Sequence, residues 1–259
     1  MPLHIANVHS YGYLGMTMYK LRNFFQELFS PVAIKCLSCG KDIFTDVGFC
    51  DECIKTVVFN NGKKCKRCGV AIDGEEDYCG NCAFDKVYFD RAYSAFSYEG
   101  ALRNAILDMK FHGMGVYAKV FARYLAYIVV QENLQFDVVC FAPMSRNSLK
   151  ERGYNQAKML ARELCNLLGN DCFCEAIIKI KETERQEELG KEARKQNLVG
   201  SYKINADVKG KRVLVVDDIK TTGATLNECA KVLKRAGATC VVGITVAARK
   251  EKPQFELED

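Results

Sequence analysis

Short unbroken apolar runs alternate with helical periods through the last two thirds of this chain, the pattern of a parallel α/β sheet. Aromatic residues at alternating positions predict an opening strand within Val87–Gly100, and Ala101–Phe111 (ALRNAILDMKF) predicts an amphipathic helix. A second, heavily apolar helix follows over Gly115–Gln131, then a buried strand over Phe136–Ala142 (FDVVCFA) closed by Pro143. Pro143–Asn155 is a loop, NQAKMLARELCNLL a helix, and Cys174–Ile180 a third strand. Val213–Val216 is a further buried strand, and helical spacing resumes from Thr225 through Leu226, Cys229, Ala230 and Leu233. Thr239–Ala247 is the last strand.

The first third has a different texture. Residues 1–18 show no periodicity and are expected to be a disordered leader, with Met16 and Met18 as alternative starts. Within 19–35, Leu21, Phe24, Phe25, Leu28 and Phe29 share one face of a short helix that Pro31 ends. Its polar face carries little positive charge, so packing on its own protein is favoured over a membrane surface.

Cysteine then takes over. Cys36-x-x-Cys39 and Cys50-x-x-Cys53 are repeated, 29 residues on, by Cys65-x-x-Cys68 and Cys79-x-x-Cys82, an internal duplication. Gly40 and Gly69 each follow the second cysteine of a pair, as in a knuckle whose turn points amides at thiolates. Two such knuckles make a closed tetrahedral zinc site, so the eight cysteines predict two structural Zn²⁺ ions in a ribbon domain over 36–86. Sequential and cross-braced pairing would use the same residues; sequential pairing is favoured. With so little apolar sequence, ribbons of this size would draw their folding free energy from the metal. Disulfides are the alternative, but no basic and apolar export signal opens the chain, and fourteen cysteines read as thiols of a reducing cytoplasm. Cys140, Cys165, Cys172, Cys174, Cys229 and Cys240 lack metal spacing and are expected to be core or half-exposed thiols; His4, His9 and His112 receive no role.

Composition is that of an ordinary soluble protein, and no apolar run approaches the ~20 residues of a membrane span. The net charge is +5. Residues 1–90 sum to −1, so the positive surplus lies in the later part and suits a polyanionic ligand, small or polymeric.

The candidate chemistry centres on RVLVVDDIKTTGATL, Arg212–Leu226. Asp217 and Asp218 stand at the end of the Val213–Val216 strand, followed by a turn of small residues, Thr221, Thr222, Gly223, Ala224 and Thr225, that opens a helix. Backbone amides and the helix dipole hold a phosphate, and carboxylates accept from sugar hydroxyls, so the arrangement suits a phosphorylated sugar. It lacks the G-x-x-x-x-G-K-[ST] layout of nucleoside triphosphatases. Arg146, Lys150 and Arg152 lie in a loop leaving another strand's carboxyl end, where open α/β sheets place ligands.

VLVVDDIKTTGAT resembles the phosphoribosyl pyrophosphate signature of the type I phosphoribosyltransferases, with Thr221 where the hypoxanthine-type enzymes carry a third Asp. From about residue 19 to 250 the chain resembles the ComF (ComFC) family, a double zinc ribbon joined to a phosphoribosyltransferase-like domain, here 87–259. FFQELFSP, the eight cysteines, ILDMKFHG with Lys110, and SLKERGYNQAKMLAREL carry that resemblance in order. Thr183, Gln186, Leu189, Arg194 and Asn197 follow, then VLVVDDIKTTGATL. The resemblance implies phosphoribosyl pyrophosphate with Mg²⁺ as ligand, Asp217 and Asp218 on the ribose, and Met144, Ser145 and Arg146 on the pyrophosphate. It also implies a mobile catalytic loop carrying Arg185, Lys191 and Arg194, in a segment that reads equally as a charged surface helix. The family role is natural competence, with single-stranded DNA handled beside other DNA-processing proteins. Two alternatives stay open: a phosphoribosyl pyrophosphate sensor without turnover, and a nucleic-acid-binding module that stacks bases on aromatics between Tyr88 and Tyr98. No acceptor is defined.

Overall fold

The structure, a computed structural model, describes residues 35–43, 47–112, 115–182 and 198–250. The leader, the Tyr19–Phe29 helix and the loop residues Arg185, Lys191 and Arg194 lie outside the described residues.

Four strands make one parallel sheet. β1 (Arg91–Ser97), β2 (Val138–Phe141), β5 (Arg212–Lys220) and β6 (Cys240–Ala248) run in the order β1-β6-β5-β2. The two central strands are buried along most of their length, as continuous apolar runs require in a sheet covered on both faces. Helices α3 (Gly100–His112), α4 (Gly115–Gln131) and α6 (Gln156–Leu168) share a core with Leu214, Val216, Ile244 and Val246. On the other face, α7 (Ala224–Arg235) packs on Val213, Val215 and Val241. Gly243 makes that approach close: a Cβ there would stand 2.3 Å from a Leu226 methyl.

Three expectations change. The segment after Cys174 does not join the parallel sheet; Phe173 makes one bridge to Val139, and β3 (Ile177–Lys179) pairs antiparallel with β4 (Tyr202–Ile204) beside α7. Within the Pro143–Asn155 loop, Arg146–Arg152 is a helix, α5, because Ser145 Oγ caps it from the Ser148 amide at 3.2 Å. The third change concerns the ribbons. They do have a shared core: Leu37, Ile43 and Phe49 belong to the α3–α4–α6 core, while Cys65, Val70 and Cys82 join the α7 core. The duplicated units thus pack on opposite faces of one sheet.

Between the units, the chain covers the exposed edge of β1. The Ser97 amide donates to the Val58 carbonyl, Asn60 donates to Ala95, and Phe59 bridges Phe96. Such cover removes an edge open to pairing with another chain.

Candidate functional site: two cysteine cages and an acidic strand end

Both cysteine units fold alike. The Gly40 amide donates to the Cys36 carbonyl and the Gly69 amide to the Cys65 carbonyl, each at 2.9 Å, with φ of 73° and 66°. Lys35–Asp42 and Lys64–Ala71 bridge at equivalent places. Cys50 and Cys79 precede the short helices α1 (Asp51–Ile54) and α2 (Gly80–Phe84). The thiols group sequentially: Cys36, Cys39, Cys50 and Cys53 lie within 4.8 Å of one another, as do Cys65, Cys68, Cys79 and Cys82. Four sulfurs at that spacing, each from a knuckle or a helix start, fit a closed structural Zn²⁺ site. The other six thiols behave as expected, with Cys140, Cys165, Cys172 and Cys229 buried and Cys174 and Cys240 half-buried.

At the acidic motif, β5 runs further than the apolar run suggests. The ladder with β6 continues to Lys220–Ala248, so both acids lie inside the strand, with Asp217 opposite Thr245. Alternation along a strand then sends the two carboxyls to opposite faces. Asp218 lies on the α3 side, where its Oδ2 is 3.8 Å from Lys110 Nζ. Asp217 shares the α7 side with Tyr202 and Cys229, both of whose acidities it affects. One oxygen of each carboxyl accepts from the next amide, Asp218 N at 2.9 Å and Ile219 N at 2.7 Å. Burial, reinforced by the charge of Asp218, pushes the Asp217 carboxyl well above the usual carboxylate range, and Lys110 pulls it partly back.

Lys110 owes its position to the segment after α5. The Tyr154 hydroxyl donates to the Met109 carbonyl, and Gln156 Nε2 donates to the Lys110 carbonyl at 3.4 Å. Asn155 caps α6 through the Lys158 amide and ties to the Ala142 carbonyl at the end of β2. The RGYNQ stretch therefore clamps the end of α3 beside β5.

Beyond Lys220 the chain turns tightly. Gly223 takes φ 78°, a left-handed conformation that favours glycine, and has no side chain to cap α7; Thr222 Oγ1 accepts from the Ala224 amide at 3.3 Å. A small pocket is lined by Asp217, Thr221, Gly223, Ala224, Thr225 and Thr245. The structure thus gathers Asp217 with Thr221, Gly223, Ala224 and Thr225 around one hollow, while Asp218 lies on the opposite face beside Lys110. Met144–Arg146 leave the sheet from the neighbouring strand, whose Ala142 amide donates to the Val216 carbonyl. Ser145 is buried in its capping role and Arg146 is exposed. The Glu182 carboxylate lies at this turn: desolvation raises its pKa, but hydrogen bonds from Ser145 and the Asn147 and Arg146 amides hold it below the ordinary range.

Sequence reading missed three neighbours of the site: Lys110, Lys220 and Thr245. Lys220 stood inside the motif, yet its ammonium reaches the second cysteine cage, 3.4 Å from Cys68 Sγ. Of the aromatics between 88 and 98, Phe89 and Phe96 are core, whereas Tyr88 and Tyr98 carry cations on their rings.

Comparison with known proteins agrees with this architecture. Residues 148–259 match the phosphoribosyl transferase domain model, and residues 25–83 match the double zinc ribbon domain model. The chain is therefore a zinc ribbon fused to a phosphoribosyltransferase-type α/β domain. It is 29% identical over 199 residues to the DNA utilization protein YhgH of Salmonella typhimurium, covering 75% of this chain and 87% of that one. It is 27% identical to competence protein F of Haemophilus influenzae, over 78% of this chain and 92% of that one. Competence protein ComFC of Streptococcus pneumoniae is also 27% identical, over 79% and 96%. In this order of domains, and in these relatives, the chain matches the ComF family. No helix among the described residues is long and apolar enough to cross a membrane.

Proposed function

We propose that this protein binds phosphoribosyl pyrophosphate with Mg²⁺ at the end of β5, and that it acts in the cytoplasm in competence-linked handling of single-stranded DNA. The observation that carries the ligand reading is the pairing of a carboxyl doublet with a small-residue helix start. Asp217 and Asp218 stand two residues before a Thr/Gly turn in which Gly223 offers no side chain to cap α7, and the small Thr222 reaches the first helical amide, its Oγ1 accepting from Ala224 N at 3.3 Å. In this reading the amides and hydroxyls of Thr221–Thr225 take the 5′-phosphate, and the two carboxyls take the ribose hydroxyls. In the same reading Met144–Arg146, and by family resemblance Arg185, Lys191 and Arg194, are assigned to the pyrophosphate. Mg²⁺ would be held largely by ligand oxygens and water, with few protein ligands.

The residues suit phosphoribosyl transfer. Anions beside the ribose stabilise an oxocarbenium-like transition state, and fixed cations and amides neutralise the departing pyrophosphate. The domain division follows: zinc ribbons over 36–86 and the transferase-type domain over 87–259. Calorimetry with phosphoribosyl pyrophosphate and Mg²⁺ tests the binding. Saturable heat that disappears in Asp217→Asn/Asp218→Asn supports it, and equal heat in both proteins contradicts it. Release of pyrophosphate on adding nucleobases or single-stranded DNA separates an enzyme from a sensor. For the DNA role, affinity for an oligonucleotide should fall steeply as salt rises.

A further inference from the structure

Burying a lysine is costly unless its charge is matched. Lys220 is only 6% exposed, and its Nζ lies 3.4 Å from Cys68 Sγ. Four thiolates around a dication carry a net charge of about −2, which an adjacent ammonium offsets. The same side chain runs beneath the turn: its Cγ and Cδ are 3.9 and 4.0 Å from where a Cβ on Gly223 would stand. Its carbonyl accepts from the Arg249 amide at 2.9 Å, so the backbone at the root of the turn is fixed as well. Between the cage and the turn lies a cavity of about 150 Å³, walled by Cys68 and Cys82 on one side and by Thr222, Gly223 and Ala224 on the other. The first cage sits elsewhere, with Gly48 against Val120 of α4 and the Val47 carbonyl bonded to Tyr124.

We propose that Lys220 joins the second zinc centre to the sugar-phosphate turn, so that metal in the Cys65–Cys68–Cys79–Cys82 cage and phosphate on Thr221–Thr225 bind cooperatively. This rests on the sugar-phosphate reading above. Lys220 acts as a positioning residue: its ammonium is anchored on the Cys68 thiolate and its stem supports the turn. The two zincs, alike in sequence, therefore differ in role, one serving the fold and the other serving both fold and ligand. Coupling between sites is reciprocal, so ligand must hold the second zinc as firmly as the second zinc holds ligand.

The test follows zinc release from the full-length protein into a chromogenic chelator, with and without ribose 5-phosphate. In the wild type, ligand should slow the release of one zinc of the two by about fivefold or more. In Lys220→Met one zinc should leave about tenfold faster, and ligand should no longer protect it, while the other keeps its wild-type rate. Lys220→Arg, which keeps the charge and should fold if Lys220→Met does not, should retain part of the protection. Unchanged release from Lys220→Met, or protection that survives the substitution, overturns the proposal. A wild type that binds no ribose 5-phosphate in calorimetry overturns the sugar-phosphate reading and the coupling with it. In that case the ligand-free rates of wild type and Lys220→Met decide the lysine–thiolate contact alone.

Discussion

Asp218 Oδ2 faces Lys110 Nζ across 3.8 Å, joining the acidic strand end to the last turn of α3, with both side chains nearly buried. At that separation the pair is an electrostatic contact rather than a tight hydrogen bond. It sets a cation beside the doublet, whose other member, Asp217, has its carboxyl pushed towards protonation by burial and by the charge of Asp218.

Removing Lys110 should therefore harm the site twice. Lys110→Met leaves two adjacent carboxyls without their cation and should cost about 1–3 kcal/mol in urea unfolding. Phosphoribosyl pyrophosphate affinity should change as well, because the charge state of the doublet changes. A stability within a few tenths of a kcal/mol of wild type (~0.3 kcal/mol) would show that the contact is incidental.

Asp217 gives a pH dependence of defined sign. Burial raises its folded-state pKa above that of the unfolded chain, so the native state keeps a proton that the unfolded state has released. Its contribution to stability is present in acid and lost as pH rises from about 4, the ordinary carboxylate range, through the raised folded value. Asp217→Asn should thus have a higher urea midpoint than wild type at pH 7, with the gain shrinking towards pH 4. Loss of ligand binding should accompany the gain, since functional groups are commonly held at a cost to stability. A lower midpoint at pH 7 would show that the carboxylate is stabilised where it stands.

Gly40 and Gly69 occupy the same place in the duplicated knuckle, yet their substitutions should differ. Both have positive φ, which costs an alanine about 1 kcal/mol. At Gly40 a Cβ meets nothing within 4 Å, whereas at Gly69 it would lie 2.4 Å from the Ala92 carbonyl oxygen of β1. Gly40→Ala should cost only the backbone term. Gly69→Ala should push the second ribbon off β1, at a cost of about 3 kcal/mol or more, and should loosen the second zinc. Equal urea midpoints for the two variants would contradict the close packing.

Metal removal should not leave an independent C-terminal domain intact. Leu37 and Phe49 share a core with Leu102 and Phe121, and Cys65 and Cys82 share one with Leu226 and Val215. Stripping zinc with a strong chelator should lower the melting temperature of the whole chain in one transition. An unchanged main transition, with only a small early loss of structure, would show that the ribbons are dispensable to the sheet.

Sequence carried far at the site because its chemistry is local. Asp217, Asp218 and the Thr221–Thr225 turn are contiguous, and the cysteines repeat at a fixed interval that survives any arrangement of the chain. What escaped was non-local or short. Lys220 meets a cysteine 152 positions away, a pairing that no spacing rule could reveal. Strand β4 is three residues long and pairs with another of three. The α5 helix was hidden in a basic loop, although Ser145 and Ser148 at N-cap spacing were its available signal. Few apolar residues lie in the ribbons, so their sequence shows the metal cages and not the packing; those few are nonetheless placed on the two faces of the sheet.

A crystal structure of the protein grown with phosphoribosyl pyrophosphate and Mg²⁺ decides whether the acidic doublet and its threonine turn hold a ribose 5-phosphate. The expected result is the 5′-phosphate against the amides of Thr222–Thr225 and the ribose hydroxyls on Asp217 and Asp218. Ligand bound elsewhere, or both carboxyls turned onto protein groups with the turn filled by the protein itself, would contradict it.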